Sequence, residues 1–170
     1  MTKVFIGGSR RVTRLNADVQ RRIDKIIEQG FPILVGDANG ADKAVQTYLR
    51  SRHYSKVDVF CTAGDCRNNV GDWPIRTVPA PAGSRGFDFY ALKDDRMAEE
   101  ASVGLMIWDS KSVGTLMNMA RLLRRRKNVV VYPETSWTAW RPWHGPSSSV
   151  TRLWPSFTSS AVSSPSSAAK

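Results

Sequence analysis

Continuous apolar runs alternate with helix-periodic segments along this chain, and that alternation is the strongest constraint on its fold. The runs at Pro32–Gly36, Val103–Trp108 and Asn128–Tyr132 are apolar at nearly every position. Such runs are typical of strands that are buried on both faces of a parallel sheet. The segment Asn16–Gln29 instead places apolar residues at the three- and four-residue spacing of an amphipathic helix. The pattern therefore predicts an α/β protein with a doubly wound parallel sheet in three layers.

The same reasoning predicts one domain, residues 1–133, which contains all of these elements and ends where the composition changes near Pro133. Residues 134–170 are rich in Ser, Pro and Trp, with tryptophans at 137, 140, 143 and 154. We expect this tail to be largely disordered, with an aromatic segment that docks on the core, stacks on a partner or has little role. The expected strands are Lys3–Gly8, Pro32–Gly36, Lys56–Cys61, Ile75–Val78, Val103–Trp108 and Asn128–Tyr132, and the expected helices are Asn16–Gln29, Ala41–Arg52, Phe87–Ala101 and Gly114–Arg126.

Composition excludes several classes of protein. The 170 residues contain no apolar run long enough to span a membrane, and the N-terminus leads directly into a strand-like segment. We therefore expect a cytoplasmic protein.

The net charge of +10 favours phosphate-bearing partners, whether nucleotide, nucleic acid or membrane surface, without choosing among them. Cys61 and Cys66 lack the spacing and the second pair of a zinc site, so we expect two isolated thiols, no metal and no cofactor.

Glycines and small polar residues follow three of the predicted strands. In a parallel sheet the carboxyl ends of the strands lie at one edge, where ligands bind near a topological switch point. The second and third of these loops lead into helices, whose free N–H groups attract anions. The sequence contains neither GxGxxG nor GxxxxGK[ST], which argues against a standard NAD site or a P-loop. The candidate ligand-binding residues are Gly7, Gly8, Ser9 and Arg10 in the first loop, Gly36, Asp37, Ala38, Gly40 and Asp42 in the second, and Asp109, Ser110, Lys111, Ser112, Gly114 and Thr115 in the third.

Four pieces of this sequence resemble the SLOG superfamily: FIGGSRR, LVGDANGADKAVQTYL, KDDRMAEEA and MIWDSKSVGT. The greatest similarity is to its small stand-alone YspA-like proteins. The superfamily also includes the DNA-processing protein A family and the cytokinin-activating LOG phosphoribohydrolases. The resemblance covers about Lys3 to Tyr132 and implies a Rossmann-like fold with a pocket for a nucleotide or nucleotide-derived ligand. It also implies that Lys93 or Arg96 lies near the bound phosphate.

The sequence departs from the LOG enzymes at one important place. Their PGGxGTxxE motif carries acidic residues just after the Thr, whereas Leu116, Met117 and Asn118 follow Thr115 here. Cleavage of an N-glycosidic bond through an oxocarbenium-like state requires a carboxylate. The remaining candidates for that role are Asp37, Asp94, Asp95 and Asp109.

Three functions remain open at this point. The first is binding of a nucleotide or nucleotide-derived ligand, with a role as a sensor and assembly into a homodimer both left open. The second is hydrolysis of a nucleoside monophosphate at its N-glycosidic bond. The third is binding of single-stranded DNA, favoured by the net charge and by tail tryptophans able to stack on bases. The basic run at residues 124–127 ends a predicted helix, where cations also complement the macrodipole.

Overall fold

A computed structural model of the chain describes residues 1–64 and 66–133. All of these residues belong to one compact unit, Met1–Ala139. The predicted tail lies outside the described residues, so its boundary and its disorder stay predictions. None of the helices in the described part is long and apolar enough to cross a membrane.

The described residues form a parallel sheet covered by helices on both faces, as the alternation of apolar runs predicted. Every pair of neighbouring strands is parallel. The strands are β1 (Val4–Gly8), β2 (Ile33–Gly36), β3 (Val57–Thr62), β4 (Ile75–Val78), β5 (Val103–Trp108) and β6 (Asn128–Pro133), and the helices are α1 (Ala17–Glu28), α2 (Ala41–Ser51), α3 (Gly86–Glu100) and α4 (Val113–Arg124).

The strand order β4-β3-β2-β1-β5-β6 reverses direction between β1 and β5. These two strands pair in parallel from Val4 opposite Val103 to Gly8 opposite Ile107. Chain connections leave β1 and β5 toward opposite sides of this junction, which opens a crevice at their carboxyl ends. The switch point therefore lies where the first and third candidate loops begin.

Two separate apolar cores hold the helices against the sheet. One core packs α1 and α2 on one face, with Val19, Ile23 and Val45 fully buried. The other packs α3 and α4 on the opposite face, with Met97 and Leu122 buried against the sheet. This arrangement confirms the three-layer, doubly wound architecture.

The two cysteines correct one of our expectations. Instead of two isolated thiols, Cys61 and Cys66 form a disulfide, with their Cα atoms 5.4 Å apart. Cys61 is the penultimate residue of β3, and the loop that follows brings Cys66 back beside it. The sequence separation of five residues gave no sign of this return, because it depends on how the loop packs against the end of β2.

Candidate functional site

A cavity of about 600 Å³ lies at the carboxyl ends of the central strands, between α3 and α4. The loops after β1, β2 and β5 form one side of it. The N-terminal half of α3 and the first turn of α4 form the other. The cavity thus occupies the switch point of the sheet, where open α/β sheets bind ligands.

The loop after β5 is organised by Asp109. Its Oδ1 atom accepts hydrogen bonds from the backbone N–H groups of Lys111, at 3.0 Å, and Ser112, at 2.7 Å. Burial alone would raise the pKa of Asp109, but these two N–H donors and the hydroxyl of Ser9 outweigh it and lower that pKa. Asp109 is therefore a carboxylate that holds the loop in shape.

Helix α4 begins immediately after this loop and directs its first turn at the cavity. The hydroxyl of Ser112 caps the helix by accepting a hydrogen bond from the N–H of Thr115 at 3.3 Å. The N–H groups of Val113 and Gly114 belong to the first turn, so no carbonyl of the helix is placed to accept from them. Both residues line the cavity beside Lys111. This is the geometry of an anion-binding helix N-terminus.

Glycines allow the loops to approach one another closely. A Cβ atom at Gly8 would lie 2.3 Å from the carbonyl oxygen of Ile107. A Cβ atom at Gly40, where φ is +86°, would lie 2.2 Å from the carbonyl oxygen of Arg10. Neither position tolerates a side chain, because the obstructing atoms belong to the backbone. These two glycines join the first loop to the neighbouring strand and to the second loop.

A buried lysine in the lining of the cavity is surrounded by carboxylates. Lys93 is only 3% exposed, and its Nζ atom donates to Oδ1 of Asp94 at 2.7 Å. The same Nζ atom lies 3.9 Å from Oδ2 of Asp42 and 4.0 Å from Oδ1 of Asp37. Gly36 makes room for this cluster, since a Cβ there would lie within 2.6 Å of both the Asp42 carboxylate and the Lys93 ammonium.

The charges within this cluster shift one another's pKa. Burial acts to lower the pKa of Lys93, but Asp94 and Asp42 outweigh it, so that the pKa is raised and the ammonium stays charged. Burial raises the pKa of Asp42 to about 6, although Lys93 opposes the shift. Asp42 therefore exchanges its proton near neutral pH, the property that general acid–base chemistry requires. The charge of Lys93 is thus balanced by three carboxylates of the protein itself.

Asp37 is held by Arg67, a residue that sequence reasoning did not select. The Arg67 guanidinium donates from Nε to Oδ2 at 3.0 Å and from Nη2 to Oδ1 at 2.6 Å. The backbone N–H of Arg67 also donates to Oδ2 at 3.1 Å. Burial would raise the pKa of Asp37, but these bonds outweigh it and lower that pKa.

Tyr90 on α3 is the second lining residue that the sequence did not reveal. Its ring lies 4.4 Å from the guanidinium carbon of Arg67 and 5.3 Å from that of Arg10. All three residues line the cavity. An aromatic residue in an amphipathic helix and an arginine in a long loop carry no distinctive signal, so only the folded arrangement brings them to this place.

The structure brings most of the predicted site residues to this cavity and leaves others around it. Five predicted loop residues are not among those that line it: Ser9, Gly36, Asp37, Gly40 and Ser110. Asp95 and Arg96 face outward, where Asp95 pairs with Arg125 and Arg96 pairs with Glu99 and Glu100. The predicted residues that line the cavity are Gly7, Gly8, Arg10, Ala38, Asp42, Lys93, Asp94, Asp109, Lys111, Ser112, Gly114 and Thr115.

One group of metal-ligating side chains occurs among the described residues. The donor atoms of Asp37, Cys61 and Cys66 lie within 4.8 Å of one another. The two sulfurs are joined to each other, and both carboxylate oxygens of Asp37 accept hydrogen bonds from Arg67. Each of the three residues is thus already bonded in this arrangement.

Comparison with known proteins adds evidence on the fold. No protein-family model matches the sequence, and no curated protein matches it. The structure is similar to the X-ray structure of DNA processing protein A (DprA) from Streptococcus pneumoniae, with a TM-score of 0.57 and 16% identity over 81% of this chain. The chain spans about half of that protein, 52% of its length. At this identity the similarity shows a shared Rossmann-like fold, while the grouping with YspA-like proteins stays a prediction.

Proposed function

We propose that the cavity binds a nucleotide or nucleotide-derived ligand by its phosphate. The observation that carries the proposal is the first turn of α4, whose residues Val113 and Gly114 line the cavity together with Lys111. Aligned N–H groups and a neighbouring ammonium together favour an anion. Arg10 lines the same cavity and adds a guanidinium suited to bidentate binding of phosphate oxygens.

Other residues that line the cavity suit the uncharged part of such a ligand. Asp42 and Asp94 line it, and carboxylates accept hydrogen bonds from sugar hydroxyls. Phe87 and Tyr90 offer aromatic surface at the same cavity. A molecule with an anionic end, hydroxyl groups and a flat ring matches this distribution, which is the composition of a nucleotide.

Thermal unfolding in the presence of candidate ligands tests this proposal. The ligands are nucleoside mono-, di- and cyclic phosphates, NAD and ADP-ribose. A ligand at about 100 times its Kd stabilises the folded state by about 2.7 kcal/mol. We expect at least one of them to raise the Tm of the wild type, and to raise it much less in Lys111→Ala and Arg10→Ala.

Arg96→Ala is the matched control, because Arg96 is also basic and close in sequence to lining residues but pairs with Glu99 and Glu100 outside the cavity. It should respond to the ligand as the wild type does. If no ligand raises the Tm, and single-stranded DNA binds with strong salt dependence, the proposal is wrong and a DNA-binding function replaces it.

A second candidate function is hydrolysis of the N-glycosidic bond of a nucleoside monophosphate. The observation that favours it is the pair of carboxylates, Asp42 and Asp94, in the same cavity as the phosphate site. A carboxylate stabilises the positive charge that develops on the sugar, and the raised pKa of Asp42 suits proton transfer. Release of free base from a bound monophosphate would support it. Asp94→Asn should then abolish turnover while the ligand still raises the Tm.

A further inference from the structure

We propose that Cys61 and Cys66 form a thiol–disulfide exchange site whose redox state controls how firmly Arg67 is held at the cavity. The effect on ligand affinity rests on the binding function proposed above, whereas the exchange chemistry and the position of Arg67 do not. The two sulfurs differ in access, since Cys61 is fully buried and Cys66 is half-buried. Cys66 is therefore the more accessible of the two residues to an incoming thiolate.

Arg67 follows Cys66 directly and is bonded to the loop after β2. Three hydrogen bonds join it to the carboxylate of Asp37, from the backbone N–H and from two guanidinium nitrogens. Asn68 extends the attachment by donating to the backbone carbonyl of Asp37 at 2.8 Å. The disulfide holds Cys66, the residue before Arg67, and the hydrogen bond of Asn68 holds the residue after it. The backbone is therefore fixed on both sides of Arg67.

The same residue reaches the candidate ligand site. The Arg67 guanidinium lies 4.4 Å from the centre of the Tyr90 ring, and both side chains line the cavity. The disulfide is thus one residue from a cation at the cavity. A change at the sulfurs has a short covalent path to the site, which does not require a rearrangement of the sheet.

The exchange reaction needs a dithiol as co-reactant. A thiolate of the dithiol attacks Sγ of Cys66, and the bond to Cys61 breaks, which leaves the Cys61 sulfur as a thiolate that takes up a proton. The second thiol of the reagent then attacks the mixed disulfide and releases Cys66. Two electrons pass to the protein, whose cysteines become thiols, while the reagent is oxidised to its disulfide.

Reduction removes one of the two attachments of Arg67. The loop after β3 is then closed only by hydrogen bonds, and a longer flexible segment gains conformational entropy when it opens. We expect Arg67 to leave Asp37 and Tyr90 more often in the reduced protein. The cavity then loses part of its positive charge, which weakens the binding of anions.

Thiol titration and trypsin cleavage of the full chain test the exchange site without any ligand. The air-oxidised protein should have no reactive thiol under denaturing conditions, and treatment with dithiothreitol should expose both. Trypsin cleaves after arginine, so cleavage between Arg67 and Asn68 reports how often this segment opens. We expect that cleavage to be about tenfold faster in the reduced protein.

Cleavage after Arg52 is the internal reference, because Arg52 is the C-cap of α2 and is held by Asp24 and Tyr48. Its rate should be the same in both redox states. Cys66→Ser, a change at the half-buried position, should show the faster cleavage after Arg67 with and without dithiothreitol. Free thiols in the air-oxidised protein, or equal cleavage after Arg67 in both states, would overturn the proposal.

The link to binding is measured with inorganic pyrophosphate as the probe. We expect its Kd to be several-fold higher in the reduced protein and in Cys66→Ser than in the oxidised protein. An unchanged Kd together with faster cleavage overturns the control of binding by the cysteines. If pyrophosphate binds in neither state, the proposed function of the cavity fails, and the cleavage rates still decide whether the disulfide holds Arg67.

Discussion

Ser9 and Asp109 are joined by two hydrogen bonds although 100 residues separate them in the chain. The Ser9 hydroxyl donates to Oδ1 of Asp109 at 2.9 Å and accepts from the Asp109 backbone N–H at 3.1 Å. The hydroxyl of Thr115 lies 3.2 Å from the same oxygen of Ser9. This contact joins the loop after β1 to the loop after β5, and it holds the N-terminus of α4 at the edge of the cavity.

Replacement of Ser9 by alanine tests that role. Ser9 is fully buried, so Ser9→Ala leaves the N–H of Asp109 without its acceptor and should reduce the free energy of unfolding by about 1–3 kcal/mol. Urea denaturation measures the loss. Ser55→Ala is the control, because Ser55 is exposed and should change stability by less than about 0.5 kcal/mol. Equal stability of the two variants would show that the Ser9–Asp109 contact is dispensable.

The close approach at Gly8 leads to a second prediction. A methyl group there would lie 2.3 Å from the Ile107 carbonyl oxygen and 2.8 Å from Cβ of Ala41, both of which belong to packed elements. Gly8→Ala should therefore destabilise the protein by more than about 3 kcal/mol. The natural comparison is Gly114→Ala, where the nearest atoms are 3.9 Å away. We expect Gly114→Ala to retain its stability, as measured by thermal and urea unfolding, and Gly8→Ala to unfold.

These two positions illustrate what the sequence could and could not predict. The continuous apolar runs and the helical spacing were sufficient for the sheet, because burial on both faces and amphipathicity are local properties of the chain. The two glycines at the end of β1 indicated that another group approaches the backbone closely there. Sequence alone did not say what approaches Gly8, since Ile107 is brought there only by the pairing of β1 with β5.

Contacts between distant loops account for what was missed. Arg67 lies in a long irregular connection, and its partner Asp37 was predicted to touch a ligand or to act in catalysis. The structure pairs the two residues with each other, a contact that their places in the sequence did not indicate. Likewise, Lys93 was predicted near phosphate, but its three carboxylate neighbours come from two different elements and one loop. A charge on a helix face does not reveal whether it will meet a ligand or a carboxylate of the same protein.

The pair of Asp37 and Arg67 gives a third prediction, at acid pH. The folded-state pKa of Asp37 is lowered below its ordinary value of 3.8, so its contribution to stability is present above pH 3.8 and is lost as the pH falls through the lowered pKa. Asp37→Asn should cost about 2 kcal/mol at pH 7, because Arg67 then loses its charged partner. Urea unfolding between pH 7 and pH 3 should show this difference decreasing at the acid end.

The exposed Asp88 provides the control for that experiment, and Asp88→Asn should leave stability unchanged over the same range. A difference between Asp37→Asn and the wild type that does not vary with pH would contradict the assignment of a lowered pKa to Asp37.

The raised pKa of Asp42 gives a fourth prediction, of opposite sign. In the folded state this pKa is about 6, against 3.8 for an ordinary aspartate, so between these values the folded protein binds more protons at this site than the unfolded chain. The wild type therefore loses stability from this group as the pH rises from about 4 to about 6. The asparagine in Asp42→Asn cannot ionise, so this variant does not lose stability from this position as the pH rises.

The free energy of unfolding of Asp42→Asn, relative to that of the wild type, should therefore increase by up to about 3 kcal/mol between pH 4 and pH 7. Lys93→Met provides the complementary measurement, because it removes the cation that limits the rise in the pKa of Asp42. In that variant the carboxylates of Asp42 and Asp94 repel each other without compensation, so stability should fall more steeply with pH than in the wild type. Parallel pH profiles for Asp42→Asn and the wild type would mean that Asp42 is already ionised well below pH 6, and that it is not the group with a proton to exchange near neutral pH.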